Sequence, residues 1–370
     1  MHVTLVSTPP ETTSGTGQYT DALGDELADD DGVTHEYLPL DGANPIPFVS
    51  TAIRAGDGET DVVHVQFDYV LFGPLGLYTL LVFPLLWLRA RRQGFALVVT
   101  MHEALNGALV TPPLAPLKAL YARLINRLIA RTADGVVFLS GEAEDRFEVS
   151  VGDGPFHHIP HGADRTETRE MDTADAKRAF GYGAETRLVV EPGYVSPRKG
   201  SDLFLSLARR CPDVEFLLAG GPPRERHTAF FESIRGDAPP NLRVTGHLDD
   251  DRFHAAFVAA DLVVLPYNET EQTGIVNAVN QSGVFNWCAA YGVPVLASDC
   301  AHFRSLHTEW DAVWLFDPAD LDDAAQRLRR LLDDEAERAR LASTVERYAR
   351  EHSLSAAADE HRTLYRRVTR

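Results

Sequence analysis

Arg187-Leu188-Val189-Val190-Glu191-Pro192-Gly193-Tyr194-Val195-Ser196-Pro197-Arg198-Lys199-Gly200-Ser201-Asp202 reads as three parts in succession. A short apolar strand runs into a glycine loop with two adjacent cations, and an amphipathic helix marked by Leu203, Leu205 and Leu207 follows. Open α/β sheets bind ligands at strand ends of this kind, and here side-chain charge and helix dipole would converge on one anion. A solvated surface pair is the plainer reading of Arg198 and Lys199, but it does not explain their place on a loop between strand and helix.

Working outward, short apolar runs bounded by turns alternate with helical patterns through the whole chain, as parallel α/β sheets require. The runs are His2–Ser7, Asp61–Phe67, Ala96–Met101 and Gly135–Leu139, then Arg187–Glu191, Glu215–Ala219, Leu242–Val244, Leu262–Leu265 and Pro294–Ala297. The break falls at Ile159-Pro160-His161-Gly162. Two Rossmann-like domains are expected over residues 1–160 and 161–345, with a C-terminal helix in 346–370 crossing back to the first. A chain of 370 residues suits two domains.

The formal charge of -19 excludes a general nucleic-acid binder, which needs a basic face. Only Lys118, Lys177 and Lys199 are lysines, and acidic runs such as Asp29-Asp30-Asp31 and Asp249-Asp250-Asp251 recur, a pairing that resembles haloarchaeal proteins. Such runs are read as surface rather than as metal sites. Cys211, Cys288 and Cys300 are widely spaced, indicating neither disulfides nor a thiolate metal site, and no signal peptide is evident at MHVTLVSTPP, so a cytoplasmic location is expected.

Two further segments have the strand, small-residue turn and helix pattern. Ser14-Gly15-Thr16-Gly17-Gln18-Tyr19 follows the first strand, and Gln281-Ser282-Gly283-Val284 opens a helix that ends before Gly292. Small residues there let the backbone approach a ligand and direct free N–H groups at it, although any tight turn would also supply them. Two such cradles on neighbouring strand ends of the second domain suit a diphosphate.

With these residues in place, the chain resembles the GT-B glycosyltransferases of the family-4 type. The resemblance runs through Gly15 and Gly17, Thr100-Met101-His102-Glu103, Ala133 to Ser140, Ile159 to Asp164, Gly193 to Gly200, Ala219-Gly220-Gly221 and Gly292 to Asp299. It implies two Rossmann-like parallel-sheet domains facing across a cleft and transfer of a hexose from a nucleotide-diphosphate sugar with retention, without an obligatory metal or other cofactor. Arg198 or Lys199 would hold the donor diphosphate, together with Gly15, Gly17, Gln281, Ser282 and Gly283. His102 would stand beside the transferred sugar as the catalytic residue; a satisfied core histidine is the competing reading.

Three departures stand out. Tyr194 occupies the place where many members carry an arginine. The family's pair of glutamates, counted back from Gly292, falls on Trp287 and Val279, which leaves Glu269 or Glu271 as nearby carboxylates. That loss keeps two alternatives open: a non-catalytic nucleotide-sugar-binding or partner subunit, and a sugar-nucleotide epimerase of the same fold.

The third departure is electrostatic. Gly73–Arg131 holds seven basic residues against Glu103 alone, a net +6, leaving -25 for the rest of the chain. It overlaps Tyr69–Leu88, 20 residues without a charge, which meets a membrane-span length but contains Gly73, Pro74, Gly76 and Pro84 between two strands of one sheet. A buried crossover helix packed on the sheet is expected there. With Leu117, Leu120, Leu124 and Leu128 at helical spacing, the segment is expected to form a peripheral surface on the inner face of a membrane for a lipid-linked or glycan acceptor. Arginines that snorkel along helices and pair with carboxylates are the alternative.

Overall fold

A computed structural model describes residues 1–10, 15–28, 32–40, 42, 44–69, 71–73, 76–163, 168, 170–269, 271–272, 275–276 and 281–370. Ser14, Asp29-Asp30-Asp31, Val70, Pro74, Leu75, Asp164 and Val279 lie outside these, as does the side chain of Glu271. The chain divides into two compact units, Met1–Gly162 with Glu271–Val276 and Leu354–Arg370, and Ala163–Thr270 with Asn277–Ser353.

The first unit runs β1 (His2–Ser7), α1 (Gly15–Ala28), β2 (Thr34–Pro39), α2 (Pro45–Arg54), β3 (Val62–Phe67), α3 (Thr79–Gln93), β4 (Ala96–Met101), α4 (Ala115–Thr132), β5 (Gly135–Phe138), α5 (Gly141–Val151) and β6 (Phe156–His158). Its six strands are parallel in the order β2-β1-β3-β4-β5-β6. The order reverses between β1 and β3, so the crevice outside their C-terminal ends is where such a sheet takes a ligand. Side chains alternate across the sheet. Val63, Val65, Phe67, Val99 and Met101 meet α2 to α5 on one face, while Val3, Leu5 and Val98 meet α1 and the C-terminal helix on the other.

The second unit continues with α6 (Thr173–Ala179), β7 (Leu188–Pro192), α7 (Ser201–Arg210), β8 (Glu215–Ala219), α8 (Thr228–Gly236), β9 (Leu242–Val244), α9 (Asp250–Ala259) and β10 (Leu262–Leu265). After a two-residue pairing of β11 (Glu271–Gln272) with β12 (Ile275–Val276) come α10 (Gly283–Tyr291), β13 (Val295–Ser298), α11 (Ala301–Trp310), β14 (Trp314–Phe316), α12 (Leu321–Asp333) and α13 (Glu335–Glu351). The last helix, α14 (Leu354–Val368), packs on α1 in the first unit. The second sheet is again parallel, β14-β13-β10-β7-β8-β9, and reverses between β7 and β10. The fold class is therefore two Rossmann-like parallel α/β sheets, as the alternating runs predict.

Within the two six-stranded sheets, β2, β6 and β14 are the strands that the apolar runs do not announce. Each is short or polar: Thr34-His35-Glu36-Tyr37 on β2 is only partly buried or exposed, and β6 is Phe156-His157-His158. They close the edges of their sheets, where one side needs no apolar cover. The uncharged run Tyr69–Leu88 yields the crossover helix α3, which begins only at Thr79 and buries Val82, Phe83, Leu86 and Ala90. Its other face is not buried as the crossover reading supposes, since Leu81, Trp87 and Leu88 are exposed. Among the described residues no helix is long and apolar enough to cross a membrane. Asp249 caps α9 by accepting from the Arg252 amide, with Asp250 and Asp251 exposed in its first turn, so this acidic run is a solvated helix start.

Candidate active site

In the second unit the loop after β7 tightens into a 3₁₀ turn at Pro197–Lys199, and Gly200 then enters α7 at φ 72°. A Cβ on Gly200 would lie 1.7 Å from the carbonyl oxygen of Pro266, so only glycine lets this loop close on the end of β10. The Asn268 amide donates to the Arg198 carbonyl at 2.9 Å across the same approach. Lys199 is thereby delivered to the residue after Pro266: its ammonium donates to the Tyr267 hydroxyl and stands 3.9 Å from the ring centroid. The Tyr267 hydroxyl in turn meets Ser282 Oγ at 2.8 Å, and Ser282 Oγ accepts from the Phe285 amide at the start of α10.

The loop after β7 and the start of α10, separate in sequence, are thus one connected cradle across the β7/β10 reversal. Beside Gly283 a Cβ would meet nothing within 4 Å, so the first turn of α10 presents its backbone to open space. Gln281 precedes it with Oε1 buried and unpartnered.

Sequence reasoning missed two members of this cluster. Tyr267 belongs to none of the glycine turns, yet it is the link between cation and helix start. Glu191, at the end of β7, is 3% exposed; its Oε1 accepts from Ser201 Oγ at 2.7 Å, and its Oε2 has no hydrogen-bond partner. Burial pushes the Glu191 carboxyl up to about 8, against the opposing pull of Ser201 and Lys199. Burial, aided by Arg198, pushes the Lys199 ammonium down to about 7, with Glu191 opposing. A charged residue inside a strand was the available signal, since buried carboxyls rarely occur without a partner.

In the first unit the turn after β1 delivers α1 closely. A Cβ on Gly17 would stand 2.7 Å from the carbonyl oxygens of Thr8 and Pro9, whereas one on Gly15 would meet nothing within 4 Å. Gly17 is therefore required for packing, and Gly15 opens onto space. α1 places Tyr19, whose ring lies 5.7 Å from that of His102 and 4.2 Å from that of His161.

His102 follows β4 and is 8% exposed, with its amide bonded to Phe67. Nε2 meets Gln66 Oε1 at 2.8 Å; Gln66 Nε2 meets His64 Nε2 at 3.4 Å, and His64 bonds Thr100 Oγ1 and Tyr365 OH at 2.7 Å each. His64, Gln66, Thr100 and His102 are alternate positions of two paired strands, with Gln66 opposite Thr100. A polar row at period two within otherwise apolar strands is a signal the apolar-run reading passes over. Burial first, then the nearby His161, holds His102 down to about 3, and burial holds His161 to about 4, so both rings are neutral at physiological pH.

Of the expected donor and catalytic residues, Gly15, Gly17 and His102 lie in the first unit, and Arg198, Lys199, Gln281, Ser282 and Gly283 in the second. Trp287, where the family's glutamate would fall, sits 5.1 Å edge-on to His254 in an aromatic cluster with Phe253, Phe257 and Tyr291. Glu269 is exposed. Among the described residues no group of three or more His, Cys, Asp or Glu is arranged to hold a metal ion.

Two parallel sheets, each with a glycine turn and polar side chains at its reversal point, define the GT-B architecture. Comparison with known proteins agrees: residues 1–162 match the profile described as "Glycosyl transferase 4-like domain" and residues 187–334 that of "Glycosyl transferases group 1". The chain belongs to the GT-B, family-4-type glycosyltransferases.

It is 33% identical over 199 residues to a phosphatidyl-myo-inositol mannosyltransferase of Mycolicibacterium smegmatis, covering 51% of this chain and 47% of that protein. It is 27% identical over 342 residues to a D-inositol 3-phosphate glycosyltransferase of Xylanimonas cellulosilytica, covering 87% of this chain and 76% of that one. The chain thus spans about half the length of the first relative and three quarters of the second. A sucrose-phosphate synthase of Thermosynechococcus elongatus shares the fold with TM-score 0.79 at 18% identity, covering 100% of this chain and 99% of that one.

Proposed function

We propose that this protein transfers a hexose from a nucleotide-diphosphate sugar, with retained anomeric configuration, to a lipid-linked or glycan acceptor at an anionic membrane surface. The observation that supports it most is the Lys199–Tyr267–Ser282 cradle, which joins a cation and a helix start at the β7/β10 reversal. Lys199 and Arg198 would take the negative charge that grows on the departing diphosphate, and the free N–H groups of α10 would share it. A leaving-group oxygen can take the acceptor proton on the same face, so this reading requires no protein nucleophile. His102, neutral, would accept a hydrogen bond from a substrate hydroxyl.

The membrane part rests on α3 and α4, which pack side by side. Leu117, Leu120 and Leu124 are 59%, 64% and 52% exposed, and Leu77, Leu81, Trp87, Leu88 and Leu114 are exposed as well. Leu128, the fourth of the helical series, turns partly into the core instead. Arg89 pairs with Asp57 at 2.6 Å and Arg123 donates to the Ser150 carbonyl, as the snorkelling reading expects. Arg92, Arg127 and Arg131 are exposed and make no ion pair among the described residues. An apolar stripe rimmed by unpaired cations suits an anionic leaflet. The name of the mycolicibacterial relative refers to a phosphatidyl-inositol, which agrees with such an acceptor. The acidic remainder of the surface suits high salt.

Labelled UDP-, GDP- and dTDP-hexoses incubated with vesicles of phosphatidylinositol and phosphatidylglycerol test the proposal. Label is expected in the lipid fraction. Label appearing only in water-soluble products at every salt concentration would remove the membrane acceptor.

A further inference from the structure

The polar row behind His102 runs unbroken from the ring to the C-terminal helix, and with the Gln66 amide oxygen turned to His102 its donor and acceptor roles follow in one order. Gln66 Oε1 can only accept, so His102 Nε2, 2.8 Å away, carries the ring proton. The Gln66 amide nitrogen can only donate, so His64 Nε2 offers its lone pair to it and to the Thr100 hydroxyl, at 3.4 and 2.7 Å. The His64 proton then sits on Nδ1 and is donated to Tyr365 OH at 2.7 Å. Gln66, His64, Thr100 and Tyr365 are all fully buried, so no water competes for these positions. His102 Nδ1 makes no hydrogen bond to a described residue.

We infer that Gln66 is a positioning residue for His102: by taking the Nε2 proton it leaves Nδ1 as the ring atom able to accept a substrate hydroxyl, and Tyr365 on α14 anchors the far end of the chain. This rests on His102 facing substrate, as proposed above. A ring free to exchange tautomers would present the accepting atom only part of the time. The C-terminal helix therefore contributes to the site as well as to the fold. The titratable groups that face His102 are His161 and Tyr19 from the turn side and His64 from the sheet, all neutral in this range, so the tautomer is set by hydrogen bonding and not by a charge.

Nitrogen-15 NMR of the imidazoles, assigned by the signals lost in His102→Ala, reads the tautomer directly. His102 is expected with its proton on Nε2 and no titration down to about pH 5. Gln66→Leu should mix the tautomers and lower turnover about tenfold while the donor KM changes less than about twofold, the pattern of a lost orienting bond. Gln66→Glu keeps the acceptor and adds a charge that favours imidazolium, so its turnover at saturating donor should rise with pH through a new titration near neutrality where wild type is flat. Should Gln66→Leu fail to fold, that pH profile decides alone.

A wild-type ring protonated on Nδ1, wild-type turnover in Gln66→Leu, or an unchanged pH profile in Gln66→Glu would each overturn the inference. Full turnover in His102→Ala would instead remove the underlying reading of the site, which keeps the two failures apart.

Discussion

Lys199 keeps its charge in a half-buried place only while something nearby compensates it, and this makes the proposed donor site sensitive to pH. With the ammonium held down to about 7 and a diphosphate favouring the protonated form, binding takes up a proton. Affinity for a nucleoside diphosphate is then full below pH 7 and should fall as pH rises, by about tenfold between pH 7 and 9 in equilibrium dialysis. Ionisation of Glu191 near 8 adds negative charge and acts in the same direction. Lys199→Met should bind weakly with a flatter profile; affinity that rises with pH contradicts the assignment. Gly200→Ala brings a Cβ to 1.7 Å from a carbonyl oxygen and holds alanine at φ 72°, so it should destabilise by about 2 kcal/mol or more in thermal or urea unfolding. An unaltered midpoint would show that the loop does not pack on Pro266 as described. His102→Ala should lower turnover and leave the midpoint nearly unchanged; a collapse in stability would make it a core histidine. Lys199, Ser282 and His102 were legible because they stand at strand and helix ends. Glu191, Gln66 and His64 were not, because they sit inside strands whose overall apolar character conceals them, and only alternation reveals which face they share.

Helices α3 and α4 show what an uncharged run can and cannot tell. The run from Tyr69 predicts burial, but a helix lying on a sheet can bury only one stripe, and here the outward stripe is also apolar. At high salt the cations are screened, so the leucines should dominate membrane contact. Replacing Leu117, Leu120 and Leu124 by Ser should abolish sedimentation with anionic vesicles at molar salt. Changing Arg89, Arg91, Arg92, Arg123 and Arg127 to Gln should weaken it mainly at low salt. Equal pelleting of all three proteins would mean that another surface makes the contact. The edge strands β2, β6 and β14 were illegible for the opposite reason: half-exposed backbone pairing needs little apolar sequence to support it.

Across the whole molecule, a charge of -19 with three lysines implies self-repulsion that salt relieves. The thermal midpoint should rise between 0.1 and 3 M KCl through screening; a falling midpoint would deny a high-salt surface. The two-unit α/β plan was legible because parallel strands buried on both faces read as continuous apolar runs. The place where the last helix begins was not, since α13 and α14 look alike in sequence, and α13 runs on to Glu351 in the second unit before α14 starts at Leu354 in the first. The central claim is that the β7/β10 reversal, through Lys199, holds a nucleotide diphosphate. Titration calorimetry of UDP, GDP and dTDP against wild type and Lys199→Ala at pH 6.5 in high salt tests it most directly. At least one diphosphate should bind wild type, and Lys199→Ala should bind it about ten- to a hundredfold more weakly, the worth of one charge-assisted contact. No binding by any of the three, or equal affinity in the two proteins, would contradict it.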